Sequence, residues 1–155
     1  MYGQSIKQSS TTRRKKKKLF VYKLILGTLD DNTEVIIGGR IDGLNDKGRV
    51  VEVKNRVKRF FNPLPKYDIA QLQTYLQILD CPEGELVEHL RKKKELETHT
   101  TIVKRDEKLW NSKLKPSLLE FASVLKIFME DTELQKKFIE EGSDKLSIIK
   151  SIDIS

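Results

Sequence analysis

Cysteine is almost absent from this chain: Cys81 stands alone among 155 residues. A single thiol excludes an intramolecular disulfide and any four-cysteine zinc or iron–sulfur site, and it fits a reducing compartment. No stretch of 18 apolar residues and no secretory leader is visible, so a membrane span and secretion are both unexpected. Histidine occurs only at His89 and His99, and neither has a second metal-type residue at a convincing spacing. No glycine-rich loop with phosphate-cradle spacing precedes a helix, and no internal repeat is present. What remains is a globular balance, 37% hydrophobic and 34% charged, of a length suited to one domain. The net charge of +7 is concentrated in the run Arg13, Arg14, Lys15, Lys16, Lys17 and Lys18. The basicity therefore belongs to a polar arm, residues 1–18, more than to the domain expected over 19–155. Such an arm suits three roles: a solvated tail, a contact to nucleic-acid phosphates, or a nuclear import signal.

The chemistry gathers between Gly38 and Arg56, GGRIDGLNDKGRVVEVKNR. Two apolar runs flank Asn45-Asp46-Lys47-Gly48, the pattern of a β-hairpin whose glycine takes a positive φ. A turn closed by Gly48 sets Asn45 opposite Arg49 and, counting back, Asp42 opposite Glu52. Cross-strand Cβ atoms lie roughly 4.5–5.5 Å apart, close enough for two carboxylates to share one divalent ion. Lys54 shares the face of Glu52 because side chains alternate along a strand. The carbonyl of Val53 is a further oxygen donor suited to magnesium or manganese. An exposed ion pair on a solvated strand face is the plainer reading of the same trio.

Around this hairpin the pattern predicts strands over 19–29, 33–44 and 48–57, an antiparallel meander. Two prolines, Pro63 and Pro65, exclude helix before YDIAQLQTYLQILD, where Asp68 is a plausible N-cap. Ile69, Leu72, Leu76 and Leu79 form one stripe facing the sheet, and Gln71 and Tyr75 share the stripe beside it. GELVEHL and ETHTTIVKR read as further strands joined by the basic residues 91–94. A helix from Pro116 carries Leu118, Phe121 or Ala122, Leu125, Phe128 and Met129 as a core-packing face. Thr132 and Gln135 form a capping-box signature for a last short helix, and the tail KLSIIKSIDIS is a possible edge strand.

Gly39-Arg-Ile-Asp42-Gly, then Val51-Glu52-Val-Lys54, then Gln71-Leu-Gln-Thr-Tyr75 resembles the PD-(D/E)xK nuclease superfamily. The likeness is to its RecB-like branch, which includes the CRISPR-associated adaptation exonuclease and the mitochondrial genome-maintenance exonuclease, and it covers about residues 35–130. It implies an α/β (α+β) fold with a restriction-endonuclease-like core: a mixed central sheet, begun by an antiparallel meander and flanked by helices. It further implies Asp42 and Glu52 as ligands of Mg2+ or Mn2+, Lys54 as the catalytic lysine, and Gln71 and Tyr75 lining the same cleft. The expected function is a metal-dependent deoxyribonuclease, end-dependent or acting on single strands, in DNA repair, recombination or replication. The alternative is a nuclease-derived DNA-binding module acting with a partner. DNA is the expected ligand, contacted by the arm residues and by Arg40 and Arg56, and a helicase, recombination or replication protein is a candidate partner. The expected location is intracellular, cytoplasmic or nuclear. Two departures stand out. Residues 1–29 contain no Asp, Glu or His, so the acidic or histidine ligand that the branch carries upstream is missing. The cysteine quartet of some relatives is also absent, so no iron–sulfur cluster is expected.

Overall fold

The structure, a computed structural model, describes residues 21–92, 95–140 and 147. It is a mixed α+β fold in which parallel and antiparallel strands share a sheet flanked by helices. Strand β1 (Tyr22–Thr28) pairs antiparallel with β2 (Glu34–Gly39). A four-stranded sheet follows in the order β3 (Gly43–Leu44), β4 (Val50–Arg56), β5 (Glu83–Lys92), β6 (Glu95–Lys104). Its central pair β4 and β5 is parallel, which requires the crossover that helix α1 (Lys66–Ile78) supplies. After β6 come α2 (Glu107–Leu109), a π turn (Trp110–Leu114), α3 (Lys115–Glu130) and α4 (Thr132–Glu140). Among the described residues no helix is long and apolar enough to cross a membrane.

The meander expected from the sequence is interrupted. The strand predicted over 33–44 is two strands: β2 pairs with β1, and β3 pairs with β4. The break follows Gly39, where the chain runs so close to α1 that an added Cβ would lie 2.7 Å from Tyr75 Cε1. Beyond it the chain turns toward β4. The hairpin turn itself is as the spacing predicts. The Asn45 amide donates to the Arg49 carbonyl at 3.0 Å, that of Gly48 to the Asn45 carbonyl at 2.9 Å, and Gly48 has φ of 74°. The register Gly43 to Val51 and Leu44 to Val50 brings Asp42, just before β3, to the Val53 amide of β4.

The core lies between one face of the four-stranded sheet and α1. Val50, Leu72, Leu76 and Leu86 are fully buried there, with Ile41, Leu64, Leu79 and Val103 against them. Helical spacing delivers Leu72 and Leu76 to one face, and strand alternation delivers Gly84, Leu86, Glu88 and Leu90 to the other. Gly84 is needed for this approach. A Cβ on it would meet Leu72 Cδ1 and the Val50 carbonyl oxygen, each at 3.0 Å.

Four local expectations change. Pro65 precedes α1, and Asp68 lies inside the first turn with its side chain turned inward, so it is not the cap. The last strand ends at Lys104, because Asp106 caps α2 by accepting from the Leu109 amide at 2.8 Å. The cap of α4 is Asp131, which accepts from the Leu134 amide at 2.9 Å; Gln135 donates instead to the Phe128 and Met129 carbonyls. On α3, Phe121, Leu125 and Met129 are exposed and line an open groove of about 870 Å³ against β2, where the sequence suggested core packing. Lys126 spans this groove to pair with Asp31 in the β1–β2 turn. The arm over 1–18 and the tail KLSIIKSIDIS lie outside the described residues, apart from Ser147.

Replacing Gly84 with Ala forces Leu72 or the β4 backbone to move, at a cost of about 1–3 kcal/mol. Replacing Gly43, where a Cβ would meet nothing within 4 Å, stays within about 0.5 kcal/mol. Urea unfolding of the two variants checks this contrast; equal midpoints would refute the packing described.

Candidate functional site

Strand alternation aims Glu52, Lys54 and Arg56 of β4 at α1, where two more polar side chains meet them. Lys54 Nζ donates to Glu52 Oε1 at 2.8 Å and to Gln71 Oε1 at 2.5 Å, and it lies 3.6 Å from Asp68 Oδ1. Gln71 Nε2 in turn donates to the Tyr75 hydroxyl at 3.0 Å, the i, i+4 contact expected on a helix. Asp42 reaches the same place from the β3 side. Its Oδ2 accepts from the Val53 amide at 2.8 Å. In a strand the N–H and C=O of one residue point to the same edge, so the Val53 carbonyl shares that edge with Asp42. All six sequence-designated residues of the centre, Asp42, Glu52, Val53, Lys54, Gln71 and Tyr75, therefore belong to one contiguous cluster.

The cluster rests on a buried layer that the sequence reading did not assign. Arg56 donates through Nη2 to Asp68 Oδ2 at 2.6 Å and through Nε to Glu88 Oε1 at 2.7 Å. Asp68 is 1% exposed and Glu88 fully buried. The amide of Phe61 also donates to Glu88 Oε1, and the Phe61 ring lies under the Arg56 guanidinium, 4.7 Å from it. Glu88 Oε2 is buried without a hydrogen bond among the described residues, with His99 Nδ1 at 3.8 Å. Asp68 was open to detection as an acid three residues before Gln71, on the helix face turned to the strand. Glu88 was legible as the one charge on the buried alternation Gly84, Leu86, Glu88, Leu90.

The position of Arg56 corrects the expectation that it touches DNA. Its side chain is only 9% exposed, with Nη2 on Asp68 and Nε on Glu88, both buried acids. It organises the site from beneath. Arg40 is exposed between β2 and β3. The residues from Arg13 to Lys18 lie outside the described residues.

Burial and the surrounding charges leave their mark on Glu52. Burial pushes its pKa up first; the Lys54 hydrogen bond and charge pull the other way, and the charges of Asp42 and Asp68 raise it further. For Lys54, burial opposes the charge, but the hydrogen bond to Glu52 and the charges of Glu52 and Asp68 prevail and raise its pKa. Lys54 is thus a firmly protonated ammonium at neutral pH, a donor and not a base. No group of three His, Cys, Asp or Glu side chains among the described residues is arranged to hold a metal ion. The donor set at the β3–β4 edge is two carboxylates and a main-chain carbonyl, all hard oxygens, which fits magnesium or manganese better than zinc. Beside Gln71 and Tyr75 a cleft of about 300 Å³ opens between α1 and α3, lined also by Leu114, Ser117 and Leu118.

The chain matches no family model and no curated protein. Among solved structures, the crystal structure of SSO0001 is similar at 19% identity with a TM-score of 0.48, over 83% of this chain. The chain spans about 60% of the length of that structure.

The raised pKa of Glu52 has a consequence for stability. From its ordinary value of 4.5 upward, the folded chain holds this proton more tightly than the unfolded chain. Stability therefore falls as pH rises through that window. The expected result is a wild-type unfolding free energy that loses this contribution above about pH 4.5, and a Glu52→Gln variant whose curve lacks that decline. A pH-independent difference between the two would contradict the assignment.

Proposed function

We propose that this chain is a divalent-metal-dependent nuclease that hydrolyses phosphodiester bonds of DNA. The observation that carries the reading is the junction at Lys54, which hydrogen-bonds Glu52 of its own strand and Gln71 of α1 within 2.8 Å. Lys54 thereby joins residues from two of the three motifs that resemble the PD-(D/E)xK pattern, and Asp42 of the third binds the amide of the intervening Val53. Asp42, Glu52 and the Val53 carbonyl would hold Mg2+ or Mn2+, which when bound neutralises charge on the scissile phosphate and lowers the pKa of water.

The chain's own groups supply the rest. Lys54, kept protonated by its acidic neighbours, is a fixed cation beside the carboxylates, suited to stabilise the developing oxyanion or to orient the attacking water. Gln71 fixes Lys54 through its carbonyl oxygen and the Tyr75 hydroxyl through its amide. That arrangement locks the ammonium in one position before substrate arrives. Tyr75 is set in turn by Gly39, which leaves room for its ring. End-dependent or single-strand action in repair, recombination or replication, with a helicase or recombination protein as partner, is the biological setting proposed. A second reading, a nuclease-derived DNA-binding module, draws on the same ion pair, because Lys54 already occupies one Glu52 oxygen, Oε1.

The test is cleavage of labelled single-stranded, blunt duplex and circular DNA with Mg2+ or Mn2+. Wild-type chain should cut in a metal-dependent way, and Lys54→Ala should lose at least about a hundredfold in rate, the usual cost of removing a group that stabilises transition-state charge. Glu52→Ala should lose as much. Full activity in both variants would refute the assignment, and metal-independent binding without turnover would favour the second reading.

A further inference from the structure

The groove between α3 and β2 has two walls of different kinds. One is the apolar face of α3, where Phe121, Leu125 and Met129 stand exposed. The other is the β2 segment, of which six consecutive residues, Thr33 to Gly38, line the groove. Side chains alternate along a strand, so a groove that meets every residue in turn runs along the strand's edge and not over one face. Among the described residues β2 pairs only with β1. The N–H and C=O groups of its other edge therefore have no strand opposite them, beside an open apolar wall.

An unpaired edge beside an apolar wall is one half of β-strand addition: the edge hydrogen-bonds an incoming strand, and the wall takes every second side chain. The sequence of this chain contains the other half. In an extended segment Ile148, Lys150, Ile152 and Ile154 fall on one side, with Ile149, Ser151 and Asp153 on the other. Lys150 is the one charge on the apolar side, and the acids that line the groove are Glu34 and Glu130. The lengths agree as well. At about 3.3 Å per residue the segment 148–154 covers roughly 23 Å, against roughly 20 Å for the six groove-lining residues of β2. The chain also leaves α4 in the right place, because Phe138 of α4 packs edge-on against Phe128 of α3, the helix that walls the groove. The connecting residues 141–147 can span up to about 23 Å.

We propose that residues 148–154 of this chain occupy the groove as a third strand on the free edge of β2. Ile148, Ile152 and Ile154 pack on Phe121, Leu125 and Met129, and Lys150 meets the groove acids. The tether selects this occupant. A segment joined by a short linker acts at an effective concentration of about millimolar, above that of a second copy of the chain at ordinary protein concentrations. The added strand steadies an element that the polar centre uses, since β2 ends at Gly39, against the Tyr75 ring and three residues before Asp42. The inference is independent of the nuclease reading and holds whether or not the chain cuts DNA.

The experiment is amide hydrogen exchange of the full chain, wild-type against the double variant Ile152→Asp with Ile154→Asp. An added strand protects the β2 amides that point away from β1. In wild-type chain these should exchange slowly, and in the double variant roughly fivefold to tenfold faster for each hydrogen bond lost. Binding of an apolar dye should rise in the same variant as the groove is uncovered. Ser151→Asp, on the opposite side of the added strand, should change neither readout. Unaltered protection of β4 and β5 in all three proteins shows that the fold is intact and the effect local. Equal exchange of the β2 amides in wild-type chain and the double variant would overturn the proposal. Protection that appears only as protein concentration rises, together with a dimer mass, would replace it with an exchange of strands between two copies.

Discussion

The placement of the whole polar centre depends on Arg56. Its guanidinium joins β4 to α1 through Asp68 and to β5 through Glu88, so one side chain ties together the strand that carries Glu52 and Lys54, the helix that carries Gln71 and Tyr75, and the neighbouring strand. Two buried carboxylates and one buried guanidinium are costly to desolvate, and they are tolerable only as a set. Taking Arg56 away would leave two buried acids unpaired, typically a loss of about 3–5 kcal/mol. The arrangement gains little stability over an apolar core of equal volume. What it provides is a fixed angle between β4 and α1, and Lys54 stands where both elements converge.

This dependence explains why Lys54 is well placed to act. Asp68 holds its remaining charge from below, Glu52 and Gln71 hold it laterally, and its hydrogen bonds are formed before any substrate binds. Burial above all makes Glu52 harder to ionise than an ordinary carboxylate, and repulsion from the charges of Asp42 and Asp68 adds to it. A divalent cation at the β3–β4 edge would relieve that repulsion.

Much of the site was legible in the sequence because it is local. The Gly48 turn fixes the hairpin register, alternation places Lys54 beside Glu52, and helical spacing places Gln71 beside Tyr75. Each of these relations spans a few residues. The parts that escaped are set by contacts distant in sequence. Asp68 reads as a helix cap until Arg56 is found opposite it, and Arg56 reads as a surface cation until Asp68 and Glu88 are seen to enclose it. The break between β2 and β3 also escaped, because it depends on how closely Gly39 approaches Tyr75. The face of α3 misled for a simpler reason: periodicity shows that one side of a helix is apolar, not what covers it.

The central claim is that Asp42, Glu52 and the Val53 carbonyl form an oxygen-donor edge for one divalent ion beside Lys54. Crystals soaked in Mn2+, with its position located by anomalous scattering, test it most directly. The account predicts one strong peak at the β3–β4 edge, within about 2.0–2.4 Å of carboxylate oxygens of Asp42 and Glu52, and its loss in Asp42→Asn. No peak at that edge under saturating Mn2+, or a peak that survives Asp42→Asn unchanged, would contradict it.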